Sequence, residues 1–358
     1  MRVIFKTSYL QDIRLAKHGG HVFWYTLLLV TAIAAPLLVD TYWLNEVSRF
    51  LIFALAGLGL MIVTGYTGQV SLGHAAFLAV GAYAHTYFIS HEMPFVISLL
   101  LAAFISGCVG LVVAVPASRM TGLYLAIASL AFAIIIEDMT IHWESVTGGN
   151  RGMPVPPPSF FGYEIYSAIE FYYIVLGGVF LSTILVLNLL RAPFGRAMLA
   201  IRDSEISASS LGISVARTKI TAFFISACIT GLAGGLMAHY VQYLSPEIFG
   251  ILLSIQLLLM IVVGGLGTVH GAFFGAFLVG LLESLISISK DYLPGAIGNQ
   301  PGLEPGLFGL ILVLFIIFEP EGVYGRWLKL RNFFENFPFY RRNTFKRQKT
   351  YLRTDRLK

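Results

Sequence analysis

The sequence is poor in charge, and this scarcity excludes most soluble folds. Only 12% of its 358 residues are Asp, Glu, Lys or Arg, while 57% are hydrophobic. Soluble domains are about 25% charged, and the mean hydropathy of this chain is +0.78. The composition therefore indicates an integral membrane protein.

Cysteine is scarce as well. Cys108 and Cys228 both lie inside apolar runs, and they form neither a metal-binding nor a thioredoxin-like spacing. A disulfide framework is excluded. Both residues are interpreted as small buried hydrophobic side chains.

A phosphate-binding loop is also missing. Lysine never follows glycine, so the sequence contains no GxxxxGK[ST] motif. Any ATP that drives this protein must be bound and hydrolysed by another polypeptide. The chain itself is interpreted as a protein that is not an enzyme and binds no cofactor or metal.

Long hydrophobic runs, in contrast, are abundant. A bilayer core of about 30 Å needs roughly 20 apolar residues per helix. Ten segments fit this length, which predicts an all-α, polytopic bundle of about ten transmembrane helices. The first run could be a cleaved signal peptide, but its length and the many runs after it favour a retained helix. The predicted spans are 22–39, 47–64, 74–90, 94–115, 122–141, 170–190, 219–241, 250–264, 269–289 and 303–318.

The distribution of charge predicts the orientation of these spans. From Arg326 to Lys358 there are eleven basic and two acidic residues, and basic residues also concentrate in 191–218. The positive-inside rule therefore places both termini and this connection in the cytoplasm. A nucleic-acid partner is the other interpretation of a basic tail, but no binding module accompanies the charges. The predicted divisions are a basic cytoplasmic N-terminus (1–21), a membrane domain (22–318) and a basic cytoplasmic tail (319–358).

Two connections on the opposite side are unusual. The segment from His142 to Glu170 contains Pro156–Pro158, a run that excludes helix and favours an extended chain. The segment from Lys290 to Gly302 is rich in Gly and Pro. It is predicted to cap the outer face.

Glycine interrupts the apolar pattern at Gly65–Gly73 and again at Gly264–Gly271. The residues after each break are similar, HAAF at 74–77 and HGAF at 270–273, which is a weak sign of an internal repeat. Broken helices expose backbone groups only where protein or a water-filled cavity satisfies them, and they are typical of transport sites. Close helix packing is the alternative, because small residues four apart also mark helix contacts in membranes.

A short helix is predicted within the cytoplasmic connection. Asp203 is expected to cap its N-terminus, and Glu205 adds favourable negative charge to its first turn. Small side chains, including Ala208, continue the helix to Gly212, which suits a left-handed stop. Such a compact protrusion is interpreted as a docking element for a soluble partner.

The pattern Glu205-Ile206-x-Ala208-x-x-x-Gly212 resembles the EAA loop of ABC importer membrane subunits, although the second alanine usual in that family is replaced at Ile206-Ser207. The blocks GYTGQVSLGHAAF, TGLYLAIASLAF, TGGNRGMP and GRAMLAIRDSEISASSLGI occur in that order. Together they resemble the LivM-type permeases of branched-chain amino-acid ABC importers over about Gly57–Gly280.

This resemblance implies an ABC importer permease architecture in the bacterial cytoplasmic (inner) membrane. The implied partners are a second homologous permease, two ATPase subunits carrying ATP and Mg, and an extracytoplasmic substrate-binding protein. The implied ATPase-coupling residues are Asp203, Glu205, Ala208 and Gly212. Urea or short amides are the alternative substrates, since related permeases share the architecture.

Four polar residues are predicted to line the substrate path. Gln69, Ser71 and His74 stand at the first break, where helix N-termini and exposed carbonyls can meet the two charges of an amino acid. Capping of adjacent helices is the alternative role for them. Glu283 lies deep in the ninth span, where it is either paired with a group on the partner permease or protonated.

Two other classes of protein fit less of the sequence. An ion-gradient-driven transporter needs acids or broken helices at the midplane, and only Glu283 is deep. An intramembrane hydrolase would use Ser71, but its surroundings have one residue too many for GxSxG and no oriented acid nearby. Glu137, Asp138 and His239 are predicted to lie near the outer boundary, in contact with water or the interface.

Overall fold

A computed structural model describes residues 19–120, 122–160, 163–290, 303–319 and 321–336 of the chain. These residues form a helical bundle with two small pairs of strands at one end. The predictions for the basic leader, the outer cap 291–302 and the tail beyond residue 336 lie outside the described residues.

Each predicted span coincides with a helix, and the largest difference is at the second, which begins at Thr41. Among the residues that the structure describes, seven helical segments are long and apolar enough to cross a membrane. The helices at 74–90 and 303–318 and the apolar run Val22–Leu38 are shorter. The all-α polytopic fold is confirmed, and the count of ten crossings stays a prediction. In chain order the described helices are α1 (Gly19–Leu38), α2 (Thr41–Leu60), α3 (His74–Ser90), α4 (Phe95–Ala117), α5 (Leu123–His142), α6 (Glu144–Thr147), α7 (Ala168–Arg191), α8 (Pro193–Asp203), α9 (Glu205–Ser210), α10 (Val215–Val241), α11 (Ile251–Gly264), α12 (Val269–Lys290), α13 (Leu303–Phe318) and α14 (Gly322–Asn336).

Shorter elements connect the helices. α2 continues as a π-helical turn, Met61–Tyr66, and 3₁₀ turns occupy Gly149–Arg151 and Pro246–Phe249. The prolines at 156–158 are non-helical, as predicted. The strands are β1 (Met153–Pro154), paired antiparallel with β4 (Tyr243–Leu244), and β2 (Ser159–Phe160), paired antiparallel with β3 (Tyr163–Glu164).

The two ends of the bundle carry different elements. The strand end holds the four strands and the connections that follow α5 and α10. The short-helix end holds α8 and α9, the last turns of α2 and α11, and the first turns of α3 and α12. α14 packs against α11 and α12 at the same end. Both glycine breaks therefore lie beside the short helices.

α10 is the central helix, in contact with α2, α3 and α4. Glycines allow its backbone to touch its neighbours. A Cβ placed on Gly81 of α3 would lie 2.1 Å from the carbonyl oxygen of Gly231, and one placed on Gly234 would lie 2.1 Å from the carbonyl oxygen of Leu78. Such contacts are typical of membrane helices, which associate by packing small residues. The packing interpretation of the glycines is therefore confirmed along α10.

Gly81→Val tests this contact between α3 and α10. The added side chain has no space against the Gly231 backbone, and overpacking costs about 1–3 kcal/mol, occasionally more. We expect the apparent melting temperature of the purified chain in detergent to fall by several degrees.

Gly177→Val is the matched control, because a Cβ on Gly177 of α7 would meet nothing within 4 Å. It should leave the melting temperature nearly unchanged. Equal losses in the two variants would contradict the packing explanation.

Candidate functional site

The predicted short helix is present as α9, but its cap lies one residue later than expected. Ser204 is the N-cap, and its hydroxyl accepts a hydrogen bond from the Ser207 backbone N–H at 3.3 Å. Asp203 is instead the last residue of α8. The prediction of Asp203 as the cap was wrong because the extended backbone that a cap requires falls on Ser204, at φ −165° and ψ 115°.

One side of α9 is anchored to the bundle. The carboxylate of Glu205 lies 2.7 Å from the ammonium of Lys219, which is almost fully buried on α10. Ala208 is buried as well. Gly212 has φ +82°, the left-handed conformation predicted for the helix stop.

α9 and the residue that ends it expose two apolar side chains that the sequence analysis missed. Ile206 is 86% exposed and Leu211 is 78% exposed. A helical wheel could have found Ile206, because residues two apart do not share a helix face and Ala208 is the buried one. Large exposed apolar side chains make α9 a candidate contact surface for a partner.

Gln69, Ser71 and His74 lie where the first break joins the π turn to α3. α3 begins at His74, as the break predicted. All three residues are buried, with exposed fractions of 4%, 1% and 0%. The structure therefore brings them together at the short-helix end, enclosed by this chain's own helices.

His74 and Ser71 belong to a closed hydrogen-bond network. The imidazole of His74 has Nδ1 2.9 Å from the Ser71 hydroxyl and Nε2 2.8 Å from the Ser226 hydroxyl. Ser226 donates to the Gly59 carbonyl at 2.6 Å, so it accepts from His74 Nε2–H. Nδ1 of a neutral ring then accepts from Ser71. This network ties α3 to α10 and α2.

Gln69 is different, because its side chain is not engaged. Neither Oε1 nor Nε2 has a hydrogen-bond partner among the described residues. Its backbone is fixed, since its N–H donates to Val63 at 3.0 Å and its carbonyl accepts from the Thr64 hydroxyl at 3.2 Å. Leaving a buried polar group unpaired costs about 1–3 kcal/mol. Of the three residues at this break, Gln69 has the side chain that is free to take a new partner.

The two glycine breaks meet at the short-helix end. A Cβ on Gly65 would lie 2.8 Å from the backbone nitrogen of Gly267. The Gly267 N–H also faces Met61 Sδ at 3.1 Å. The two breaks, far apart in sequence, form one cluster, which we call the break cluster.

Arg202 of α8 joins the break cluster to the short helices. Its Nη1 donates to the Gly65 carbonyl at 2.8 Å. In the sequence Arg202 counts only as one of several basic residues on the cytoplasmic side, and no local pattern pairs it with a glycine 137 positions away. It is a further functional candidate that sequence reasoning missed.

Glu283 lies apart from these residues, toward the strand end. The basic residue that pairs with it, Arg49, belongs to this same chain. Arg49 Nη1 is 3.4 Å from Glu283 Oε2, and the amide of Gln256 donates to the other carboxylate oxygen. Arg49 Nη2 is also 2.7 Å from the carboxylate of Glu46. The expectation of a group on a partner permease is corrected, because α2 and α12 pack together and bring Arg49 to Glu283.

The remaining outer acids lie at the strand end. Glu137 lines a cavity of about 420 Å³ together with Glu247 and Gln256. Asp138 is 70% exposed, in accord with the prediction that it reaches water. This cavity is bordered by carboxylates at the end opposite to α9.

His239 is not an interfacial residue, contrary to the prediction. It is buried, and its Nε2 lies 2.8 Å from Nε2 of His85. The rings of Phe95 and Phe171 cover it, with centroids 5.3 and 6.5 Å from the imidazole. Its position near the end of α10 suggested exposure, but the neighbouring helices enclose it.

Membrane-length helices, a cluster of irregular backbone and a projecting short helix define a multi-pass membrane protein of the transport class. Residues 42–317 match the family described as branched-chain amino acid transport system / permease component. The chain belongs to this family. Its members are permease subunits of transport systems rather than enzymes.

The similar proteins include two kinds of permease. The high-affinity branched-chain amino acid transport system permease protein LivM of Salmonella typhimurium is 32% identical over 322 residues, 83% of this chain and 73% of that protein. LivM of Escherichia coli is 31% identical over 334 residues, 85% of this chain and 76% of that protein. LivH of Salmonella typhimurium is 24% identical over 306 residues, 79% of this chain and 94% of that protein.

Arg49→Met tests the charge cluster around Glu283. The variant leaves Glu46 and Glu283 near each other without a cation, which we expect to lower the free energy of unfolding by about 1–3 kcal/mol. Thermal or denaturant unfolding of the purified chain measures the change.

Arg49→Met combined with Glu283→Gln should recover part of that loss, because the second change removes the uncompensated charge. A double variant that is less stable than Arg49→Met alone would contradict the ion pair.

Proposed function

We propose that the chain is one of two permease subunits of an ATP-driven importer for branched-chain or related hydrophobic amino acids. A binding protein outside the membrane delivers the substrate, and two separate ATPase subunits with ATP and Mg provide the energy. Family membership and the names of the relatives support this proposal. The occurrence of both LivM and LivH among the relatives supports the second permease.

The bacterial relatives support a place in the bacterial inner membrane. The charges support an orientation with the short-helix end in the cytoplasm. Arg196, Arg202 and Arg217 lie in or beside the short helices, whereas Glu164 and Glu247 lie at the strand end. The positive-inside rule then puts both termini in the cytoplasm. The strand end, with its acidic cavity, faces the binding protein.

The projection of α9 carries the proposal. Its exposed residues, Ile206 and Leu211, stand at an aqueous end of the molecule, where no lipid covers them in the proposed orientation. Ala208 and the Glu205–Lys219 pair hold α9 against the bundle. Insertion of a helix into a partner's groove is a recurring mode of recognition, and the proposed ATPase subunits are the soluble partners that would receive α9.

The substrate path is proposed to pass the first break. An amino acid brings a carboxylate and an ammonium that both need partners inside a membrane. Gln69 can donate and accept hydrogen bonds and has a free side chain, while Ser71 and His74 shape the break through their network. Glu283, held by Arg49, would act at the outer part of the path.

Transport by the assembled complex tests the proposal. The chain is reconstituted in liposomes with a LivH-like permease, the ATPase subunits and the binding protein, and uptake of labelled leucine and urea is measured with and without ATP. We expect ATP-dependent leucine uptake. Urea uptake without leucine uptake would support the short-amide alternative, and leucine uptake driven by an ion gradient without ATPase subunits would overturn the proposal.

Ile206→Glu and Leu211→Glu test the docking role of α9. Each variant places a charge where an apolar groove would close, which should weaken co-purification of the ATPase subunits by about tenfold or more. Binding is measured by titration of the ATPase subunits against the detergent-solubilised permease pair.

Tyr166→Glu is the control, because Tyr166 is also 78% exposed but lies at the strand end. It should bind the ATPase subunits normally. Unchanged binding by both α9 variants would exclude α9 as the docking element.

A further inference from the structure

We propose that Arg202 is a positioning residue that fastens the break cluster to α8 and α9, so that these parts move as one body during transport. The inference rests on the proposed function, because it gives a displacement of α9 by an ATPase subunit a direct route to the membrane helices. Arg202 lies outside the Glu205–Gly212 pattern that resembles the EAA loop, so the resemblance gives it no role.

The first support is electrostatic. The last carbonyls of a helix have no partner within the helix and carry partial negative charge. Gly65 stands in the π turn that ends α2, and its carbonyl accepts from the Arg202 guanidinium at 2.8 Å. Hydrogen bonds from a charged donor are stronger than neutral ones. Arg202 therefore caps the end of α2 from another segment of the chain.

The second support is steric, since Gly267 leaves the space that the Arg202 guanidinium fills, and Gly68 lies in ordinary contact with Arg202. A Cβ on Gly267 would lie 2.3 Å from Arg202 Nη1, so any side chain there would displace the guanidinium. A Cβ on Gly68 would lie 3.5 Å from Arg202 Cα and 3.4 Å from Cγ. Gly68 and Gly267 also have positive φ, +70° and +75°. Both breaks are thus in contact with the same arginine.

The third support is the short path from Arg202 to α9. Ser204 ends α8 with its N–H bonded to Ala200 at 3.0 Å and starts α9 with its carbonyl accepting from Ala208 at 3.0 Å. Arg202 is two residues before this junction, and no flexible linker separates it from α9. A movement of α9 therefore reaches Arg202, and through it α2 and α12.

Arg202→Met in the reconstituted importer tests the role. The variant keeps the length of the side chain but loses the charge and the donors. We expect leucine uptake per ATP hydrolysed to fall about tenfold or more, while ATPase subunits still co-purify and ATP hydrolysis continues. Arg202→Lys, which can still donate to one carbonyl, should recover part of the coupling.

Arg196→Met is the matched control on the same helix, since the Arg196 guanidinium bonds the nearby Arg191 carbonyl at 3.2 Å. Its uptake per ATP should equal that of the unmodified importer. Equal coupling in Arg202→Met and Arg196→Met, with both complexes assembled, would overturn the inference.

A crosslink tests the contact without relying on the guanidinium. The position of a Cβ on Gly68 is 3.7 Å from Arg202 Cβ, within the range of about 3.5–4.5 Å that a disulfide spans. Gly68→Cys with Arg202→Cys is made in a background where Cys108 and Cys228 are Ser. If the parts move as one body, the reduced pair is uncoupled and the oxidised pair regains coupling.

Three results would count against the inference: no crosslink, an oxidised pair that stays uncoupled, or an oxidised pair that blocks transport. The last would show that the contact must open in each cycle. Failure of the proposed function is distinguishable, because then the unmodified importer itself would show no ATP-dependent leucine uptake.

Discussion

Hydrocarbon offers no hydrogen bonds, so an interrupted helix can exist in a membrane protein only where protein or water replaces the bonds that its backbone has lost. At the break cluster, other residues of the same chain supply these hydrogen bonds. The carbonyl of Gly65 accepts from Arg202, the N–H of Gln69 donates to the Val63 carbonyl, and the carbonyl of Gln69 accepts from the Thr64 hydroxyl. The break at the end of α2 and the position of α8 therefore depend on each other. The break needs the Arg202 donor, and the Gly65 carbonyl holds Arg202 in place.

Much of this architecture could be predicted from sequence because it depends on local patterns. Each apolar run in the sequence coincides with a helix in the structure, and the glycines at 65–73 correctly predicted that α3 starts at His74. The α9 stop at Gly212 was correct for the same reason. The predicted N-cap of α9 was wrong by one residue. Asp203 and Ser204 are both good caps, and only the backbone angles of the folded chain distinguish them.

The candidate site was less predictable because its contacts are distant in sequence. Glu283 pairs with Arg49, which is 234 positions away in the sequence, and His239 contacts His85, which is 154 positions away. A single sequence gives no sign of such pairs, and an intramembrane charge or an end-of-helix histidine looks exposed or unpaired until its neighbours are known. Arg202 was difficult to recognise for a different reason. The positive-inside rule already explains a basic residue in a cytoplasmic connection, so nothing in the sequence assigns Arg202 a further role.

The direct contact of α3 with α10 has a consequence for where a solute can cross. With Gly81 against Gly231 and Gly234 against Leu78, the backbones touch and the middle of this subunit has no lumen between those two helices. A zwitterion cannot thread such a contact. Its route past the first break must then run on another side of α3 or α10, and not along the line where these two backbones meet.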